Sequence, residues 1–309
     1  MAEIKTLNRY DYVILGADRW ALQMGALLKK AERNYLIVDA TQNIDNSEEL
    51  NIQLETRIYY VDKNKATKRF ELIDENGNFY DTKALLVSSS FDAKEGQRFE
   101  DQIFANSCRP QRTENGLPVI SAELESNNIE NMFFLGNHTA MRAYGDLSNV
   151  GDKAFWVNML HRFLEQKYHG IDLCRHMIPH DADTVKNLVH NRMNLTQIGW
   201  SRPDYIGDFL VVENGGKTAR FYSQLTSDYF REHIAHPEMI YYALTIDSKK
   251  TEAAGTVVSK CQGWEIISEC RLSGDPAQGM AYWNSKIDEI VTASISSEAH
   301  TGPLEAVAV

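Results

Sequence analysis

The sequence has little that is typical of disulfide-stabilised or membrane proteins. Its 309 residues include four cysteines, which are scattered and form no CxxC pair, so we expect reduced thiols rather than a disulfide framework or a zinc site. No apolar run approaches the roughly 18–20 residues of a membrane-spanning helix, and the N-terminal residues lack the basic and apolar regions of a secretory signal. These absences predict a soluble, cytoplasmic protein with no membrane partner. The cysteines are Cys108, Cys174, Cys261 and Cys270.

The chain also lacks an excess of positive charge. It has 43 Asp and Glu residues against 32 Lys and Arg, which gives a formal net charge of −11. Such a chain repels polyphosphate, so nonspecific nucleic-acid binding is not expected as its main task. The hydrophobic share of 43% is typical of a globular protein. The length allows one large domain or two ordinary ones.

The clearest pattern that is present lies within residues 10–40. An apolar strand at 12–15 ends at Gly16, and a stretch with helical spacing of apolar residues follows. A second apolar, β-rich run at 35–38 is closed by Asp39. Strand, tight turn, helix and strand form a βαβ unit, and its apolar strands suit the centre of a parallel sheet.

Further patterns predict an α/β domain over residues 1–168 and a smaller α+β region over residues 169–309. Asn76-Gly77 indicates a hairpin between a strand at 69–73 and a strand near Phe79. The other predicted strands are 54–61, 84–87, 132–135, 209–212 and 241–246, and the predicted helices are about 150–168 and 182–194.

The turn after the first strand is similar to a dinucleotide-binding motif. Such a motif is GxGxxG followed about 20 residues later by an acid, which binds ribose hydroxyls. Here the frame runs from Gly16 to Ala21, and Asp39 stands at the place of the acid. Asp18 replaces the second glycine, the one that lets the pyrophosphate approach the backbone.

Two interpretations of Asp18 stay open. Its charge opposes bound phosphates by a few kcal/mol at an effective dielectric constant near 20. The attraction of a helix N-terminus for an anion, about 0.3–2 kcal/mol, does not readily offset this. Asp18 would then cap its own helix and weaken or abolish dinucleotide binding. Alternatively, Arg19 supplies a phosphate contact and binding is retained.

Longer segments resemble the flavin-containing-monooxygenase-like and FAD-dependent oxidoreductase domain-containing families. They are DYVILGADRWALQMGALLKKAERNYLIVDA, FEDQIFANSCRPQRTENGLPVISAELESNNIENMFFLGNHTA and FLVVENGGKTARFYSQLTSDYF. The resemblance implies a Rossmann-like FAD-binding-type domain. It places Gly16, Asp18, Arg19 and Asp39 at the first flavin motif, and Gly136 with Asn137 at the second. FAD is therefore the cofactor to consider.

The departures from that family imply a shortened relative. Members carry a second nucleotide-binding domain for NADPH, and no stretch of this chain remains to form one, so we expect no NADPH site. The glycine that the family places against the flavin after the strand at 84–87 is serine here. Without bound NADPH, a flavin would need electrons from a separate reductase or from the substrate.

Polar residues after the strand at 132–135 form a candidate ligand pocket, because open α/β sheets bind ligands at strand carboxyl ends. His138 could act there as an acid or base; a solvated loop is the alternative. The four residues of this pocket are His138, Arg142, Tyr144 and Asp146.

Other constellations are weaker. His176 and His180 have the spacing of a helical metal pair, but Pro179 disfavours a helix there, so we expect no metal site. Arg109 could lower the pKa of the neighbouring Cys108 thiol, although an inert thiol is the simpler expectation.

Two functions therefore remain. The first is a degenerate flavin-oxidoreductase-like protein that has lost stand-alone NADPH-driven chemistry and serves as a non-catalytic or auxiliary protein, binding a partner protein, a peptide or a small ligand. The second is an FAD-dependent oxidoreductase or monooxygenase that acts on a small molecule or a carrier-bound intermediate and takes electrons from a separate donor.

Overall fold

The computed structural model describes most of the chain, in two compact units. The first unit comprises Met1–Leu173, Ile198–Tyr205 and Gln224–Tyr229, and the second comprises Cys174–Gln197, Ile206–Ser223 and Phe230–Val309. The division at 168/169 stays a prediction. The described residues are 7–41, 44, 49–93, 103–114, 116–136, 154–174, 176–194, 206–247, 255–272 and 280–292.

The first unit contains a mixed seven-stranded sheet with the order β3-β2-β1-β6-β5-β4, in which β7 also pairs with β6. Its strands are β1 (Leu7–Leu15), β2 (Tyr35–Val38), β3 (Ile52–Gln53), β4 (Ile58–Lys63), β5 (Phe70–Asp74), β6 (Phe79–Ser88) and β7 (Met132–Leu135). Its principal helices are α1 (Arg19–Lys30), α2 (Ser89–Ala93) and α3 (Ala154–His169).

The centre of this sheet is parallel. β1 pairs in parallel with β2 on one side and with β6 on the other. On its opposite edge, β6 pairs antiparallel with β5 through residues 79–82 and parallel with β7 through residues 85–88. Val13, Ile14 and Leu15 are completely buried, as expected of apolar strands in the middle of a sheet. The predicted α/β class is thereby confirmed.

The predicted Asn76-Gly77 hairpin is also confirmed, and Asp74 holds its turn together. The Asp74 carboxylate accepts hydrogen bonds from the backbone N–H groups of Asn76 and Asn78, from Asn78 Nδ2, and from the Tyr80 hydroxyl, all at 2.8–2.9 Å. Gly77 has φ 78°, a left-handed conformation that glycine adopts without strain. A fully buried carboxylate thus satisfies two backbone N–H groups of the turn and two side-chain donors.

The predicted strand over 54–61 is wrong in its first half. β4 begins only at Ile58, because Glu55 has φ 53°, a left-handed conformation incompatible with an extended strand. The N–H of Glu55 donates to the carbonyl of Thr41, and the N–H of Thr56 donates to the carbonyl of Asp39. The chain therefore turns back toward the end of β2 before β4 starts.

A partly buried polar network joins α3 to β1 and to the turn after α1. The guanidinium of Arg33 donates two hydrogen bonds to the Glu165 carboxylate, at 2.9 and 2.5 Å. Nε2 of His161 lies 3.9 Å from Glu165 Oε1 and has no hydrogen-bond partner among the described residues. The Tyr12 hydroxyl lies 2.9 Å from Nε2 of His169. These contacts fix the rotation of α3 against the sheet.

We expect this network to cost stability in acid. Burial lowers the pKa of His161 below the ordinary 6.5, and the hydrogen bonds from Arg33 lower the pKa of Glu165 below the ordinary 4.5. As the pH falls, the unfolded chain therefore binds protons at both positions at a higher pH than the folded protein does. Both groups therefore contribute fully to the free energy of unfolding above pH about 6.5. The contribution of His161 is lost as the pH falls below that value, and the contribution of Glu165 is lost below about 4.5.

Thermal unfolding midpoints between pH of about 4 and 8 measure this loss. His161→Gln should flatten the slope between pH of about 7 and 5 relative to the wild type. Equal slopes for the wild type and His161→Gln would contradict the assignment.

The second unit contains a six-stranded sheet with the order β13-β12-β11-β9-β10-β8, and two of its helices pack on one face. Val185 and Val189 of α4 and Ile287 and Ile290 of α6 pack against the buried apolar side chains of this face. The elements wholly within this unit are β8 (His176–Pro179), α4 (Ala182–Asn194), β9 (Ile206–Glu213), β11 (Ile240–Asp247), β12 (Gly255–Gln262), β13 (Glu265–Leu272) and α6 (Met280–Thr292). The division between the units falls within β10 (Thr218–Thr226) and within α5 (Ser227–His233). Among the described residues, no helix is both long and apolar enough to cross a bilayer.

Candidate functional site

Three segments of the first unit meet at the carboxyl ends of β1, β6 and β7. Gly16 follows β1 and Gly136 follows β7, with φ of 89° and 77°. A Cβ atom on Gly16 would lie 2.6 Å from Ser90 Oγ, and one on Gly136 would lie 2.5 Å from Ser89 Oγ and 2.7 Å from Trp20 Cδ1. Both glycines are therefore required by conformation and by close packing against the start of α2.

Asp18 occupies the N-terminus of α1. Its Oδ1 accepts hydrogen bonds from the backbone N–H groups of Trp20 and Ala21, each at 3.0 Å, so Asp18 is the N-cap of its own helix. Its Oδ2 accepts hydrogen bonds from Ser89 Oγ at 3.0 Å and from the Ser90 N–H at 3.2 Å. One carboxylate thus satisfies donors from two helix starts, α1 and α2.

Asp39 is buried directly after β2 and stabilises the turn between β1 and α1. Its Oδ2 accepts a hydrogen bond from the Ala17 N–H, and its Oδ1 accepts one from the Thr41 N–H, both at 2.7 Å. The acid that the motif assigns to ribose hydroxyls is engaged here with the backbone. The turn between β1 and α1 is therefore held by two carboxylates, Asp18 and Asp39.

Arg19 is exposed, and its guanidinium lies 4.2 Å from the ring centroid of Trp20. Trp20 itself is buried and packs close to Gly136. This cation–π contact gives Arg19 a role that requires no ligand.

Several hydroxyl groups near these strand ends have no hydrogen-bond partner in the described part of the chain. The Oγ atoms of Ser88 and Ser90 are buried and unpartnered, as is Oγ1 of Thr41. Ser88 is the last residue of β6, Ser90 is the second residue of α2, and Thr41 lies two residues after Asp39. Within the described part of this edge, these hydroxyls retain hydrogen-bonding capacity, whereas the N–H groups of Trp20 and Ala21 are engaged by Asp18.

The remaining predicted site residues lie outside the described residues. They are Asn137 of the second flavin motif and His138, Arg142, Tyr144 and Asp146 of the candidate ligand pocket.

The structure shows where the weaker constellations of the sequence lie. Burial raises the pKa of the Cys108 thiol to about 12, and its Sγ donates to the Val61 carbonyl at 3.1 Å, so Arg109 does not activate it. His176 lies on a strand, and His180 contacts the Gly216 carbonyl and the Tyr242 hydroxyl. Within the described ranges, no three His, Cys, Asp or Glu residues are grouped as metal ligands would be.

No family model and no curated protein matches the sequence. Among solved structures, a bacillithiol disulfide reductase from Staphylococcus aureus aligns at 10% identity and a TM-score of 0.38, over 51% of this chain and 98% of its own. The FAD-bound cadaverine monooxygenase of desferrioxamine biosynthesis from Erwinia amylovora aligns at 11% identity and a TM-score of 0.25, over 26% of this chain and 36% of its own.

A flavin-containing monooxygenase from Stenotrophomonas maltophilia aligns at 13% identity and a TM-score of 0.23, over 26% of this chain and 38% of its own. The alignments thus span less than two fifths of these two monooxygenase chains. At such scores the alignments establish neither a family nor an activity for this chain.

Proposed function

We propose that this chain is a flavin-oxidoreductase-like α/β protein that binds no dinucleotide pyrophosphate at α1 and serves as a non-catalytic or auxiliary binding protein. The observation that carries the proposal is the Asp18 carboxylate, which accepts four hydrogen bonds at the helix N-terminus. In this proposal the protein binds a small ligand, a peptide or a partner protein.

A dinucleotide does not fit this arrangement. The pyrophosphate would need the backbone N–H groups at the start of α1, and those of Trp20 and Ala21 are already bonded to Asp18. Its charge would also meet the Asp18 carboxylate at close range, at a cost of a few kcal/mol for an effective dielectric constant near 20. The Asp18 carboxylate therefore takes the position at which the family resemblance implies a bound pyrophosphate.

The Rossmann-like interpretation of residues 1–168 is part of this proposal. It is supported by the parallel β1-α1-β2 unit, by β6 beside β1, and by the two left-handed glycines, Gly16 and Gly136. The α+β region over residues 169–309 would then be a separate unit that carries part of the binding function.

The second candidate is an FAD-dependent oxidoreductase with a separate electron donor. The observation that favours it is the buried Asp39 at the end of β2, together with the unpartnered hydroxyls of Ser88 and Ser90 at the same edge. This function requires the Asp18 side chain to leave the N-terminus of α1.

An absorbance spectrum separates the two candidates. The protein is purified without added cofactor, and the spectrum is repeated after incubation with excess FAD and desalting. The proposal predicts no bands near the flavin's usual values of about 370 and 450 nm in either sample. Bands in the untreated protein would overturn it.

We expect Asp18→Gly to raise the affinity for FAD about tenfold or more, because it removes both the charge and the bulk at the helix N-terminus. Asp18→Asn removes the charge and keeps the bulk, so it should raise the affinity less. Fluorescence titration with FAD measures both variants against the wild type. If neither variant gains affinity, Asp18 is not the obstacle and the pocket is closed by other groups.

A further inference from the structure

A second concave site lies in the first unit, at the tip of the β4–β5 hairpin. Its volume is about 280 Å³, near the small end of the range for ligand pockets. One wall is the hairpin loop, and the other contains Ser107 and residues 128–130. The lining residues are Lys63, Asn64, Lys65, Lys68, Ser107, Asn128, Ile129 and Glu130.

The lining is positively charged in a chain whose net charge is strongly negative. The direct lining contains three lysines and one glutamate, and a second carboxylate, that of Asp62, accepts a hydrogen bond from the hydroxyl of the lining residue Ser107. Lys65 and Lys68 are exposed, and neither forms an ion pair within the described part of the chain. Their ammonium groups are therefore available to an anion at the mouth of the cavity.

Lys63 is less exposed than the other two lysines and forms an ion pair with Glu130. Its side chain is 13% exposed, and its Nζ donates to the Glu130 carbonyl at 2.5 Å. The Glu130 carboxylate stands 3.8 Å away and is itself largely exposed. Burial lowers the pKa of Lys63, and the nearby charge of Lys68 acts in the same direction. An anion in the cavity would stabilise the charged form of Lys63.

Both walls are held by hydrogen bonds of asparagine side chains to the backbone. Asn64 Oδ1 accepts hydrogen bonds from the N–H groups of Ala66 and Thr67, which folds the loop that carries Lys65 and Lys68. On the opposite wall, Asn128 Oδ1 accepts from the Gln111 N–H, and Asn128 Nδ2 donates to the Arg109 carbonyl. Only the lysine side chains need to move when a ligand binds, which limits the entropy cost.

We propose that this cavity binds a small phosphomonoester, with Lys63, Lys65 and Lys68 on the phosphate group. A phosphate dianion can pair with the exposed ammonium groups of Lys65 and Lys68, and lysine is a common phosphate ligand in proteins. Ile129 offers the organic part an apolar contact. The proposal does not rest on the function proposed above, because the hairpin tip and the N-terminus of α1 are separate sites.

Isothermal titration of the full chain at constant ionic strength tests the site, with ribose 5-phosphate, inorganic phosphate and ribose as probes. We expect ribose 5-phosphate to bind and ribose not to bind. The double variant Lys65→Gln/Lys68→Gln should weaken binding about tenfold or more, and Glu130→Gln should tighten it about threefold, because the competing carboxylate is removed.

The matched control is Lys30→Gln, an exposed lysine at the end of α1, which should leave the affinity unchanged. Tighter binding of ribose 5-phosphate than of inorganic phosphate assigns the site to a phosphomonoester. Equal affinity for the two probes would overturn that assignment. No binding of either phosphate, or equal weakening by Lys30→Gln, would overturn the site itself. The FAD spectrum tests a different site, so either proposal can be overturned while the other stands.

Discussion

Asp74→Ala is expected to lower the free energy of unfolding by about 3–4 kcal/mol, because it leaves several donors of the β5–β6 turn without an acceptor inside the protein. The carboxylate is completely buried and accepts from two backbone N–H groups, the Asn78 amide and the Tyr80 hydroxyl. Each unsatisfied buried donor costs about 1–3 kcal/mol, and water entering the vacated space recovers part of the sum.

Urea unfolding followed by circular dichroism measures this loss. Asp74→Asn should cost less than alanine, because the amide oxygen still accepts from the backbone. Glu75→Ala, at the exposed neighbouring position, should stay within about 0.5 kcal/mol of the wild type. A loss below about 1 kcal/mol for Asp74→Ala would show that the turn does not depend on the carboxylate.

Glu165→Ala should cost about 3 kcal/mol, since it leaves the Arg33 guanidinium partly buried without its carboxylate. The side chains of Arg33 and Glu165 are 24% and 11% exposed, so the pair is shielded from water but not fully desolvated. The two parallel hydrogen bonds join α3 to the turn after α1, and their loss should loosen the helix as well as the pair.

A double-mutant cycle with Arg33→Ala separates the interaction from the loss of packing. We expect a coupling energy of about 1.5–3 kcal/mol, the range for hydrogen bonds to charged groups. The surface pair Lys286–Glu289 of α6 is the control, and its cycle should show no resolvable coupling. Additive effects of Arg33→Ala and Glu165→Ala would contradict the assignment.

Local patterns were sufficient to predict most strands of the first unit. The apolar runs at 12–15, 35–38 and 132–135 are strands, and Asn76-Gly77 forms the predicted turn. The false strand at 54–57 shows the limit, because the left-handed backbone of Glu55 is set by contacts with Thr41 and Asp39 rather than by its own sequence. The Arg33–Glu165 pair joins positions far apart in the chain, and no local pattern predicts it.

The candidate site was predicted only in part. The cap formed by Asp18 is one of the two interpretations that the sequence leaves open, because an acid at a helix start is a common N-cap. Its bonds to Ser89 and Ser90 could not be predicted, since they depend on β6 lying beside β1. The lysine cavity was missed, although Lys63, Lys65 and Lys68 are close in sequence.

One edge of β6 pairs with two different strands, with β5 through residues 79–82 and with β7 through residues 85–88. This arrangement has a consequence for the order in which the sheet folds. The meander β4-β5-β6 connects strands that are neighbours in sequence, so it closes short loops and should form early during folding. The parallel partners β1 and β7 require much longer loops to close, and those closures cost more entropy. β6 would then act as the template on which β1 and β7 dock late, and the convergence of Gly16, Ser89 and Gly136 would be among the last native contacts to form.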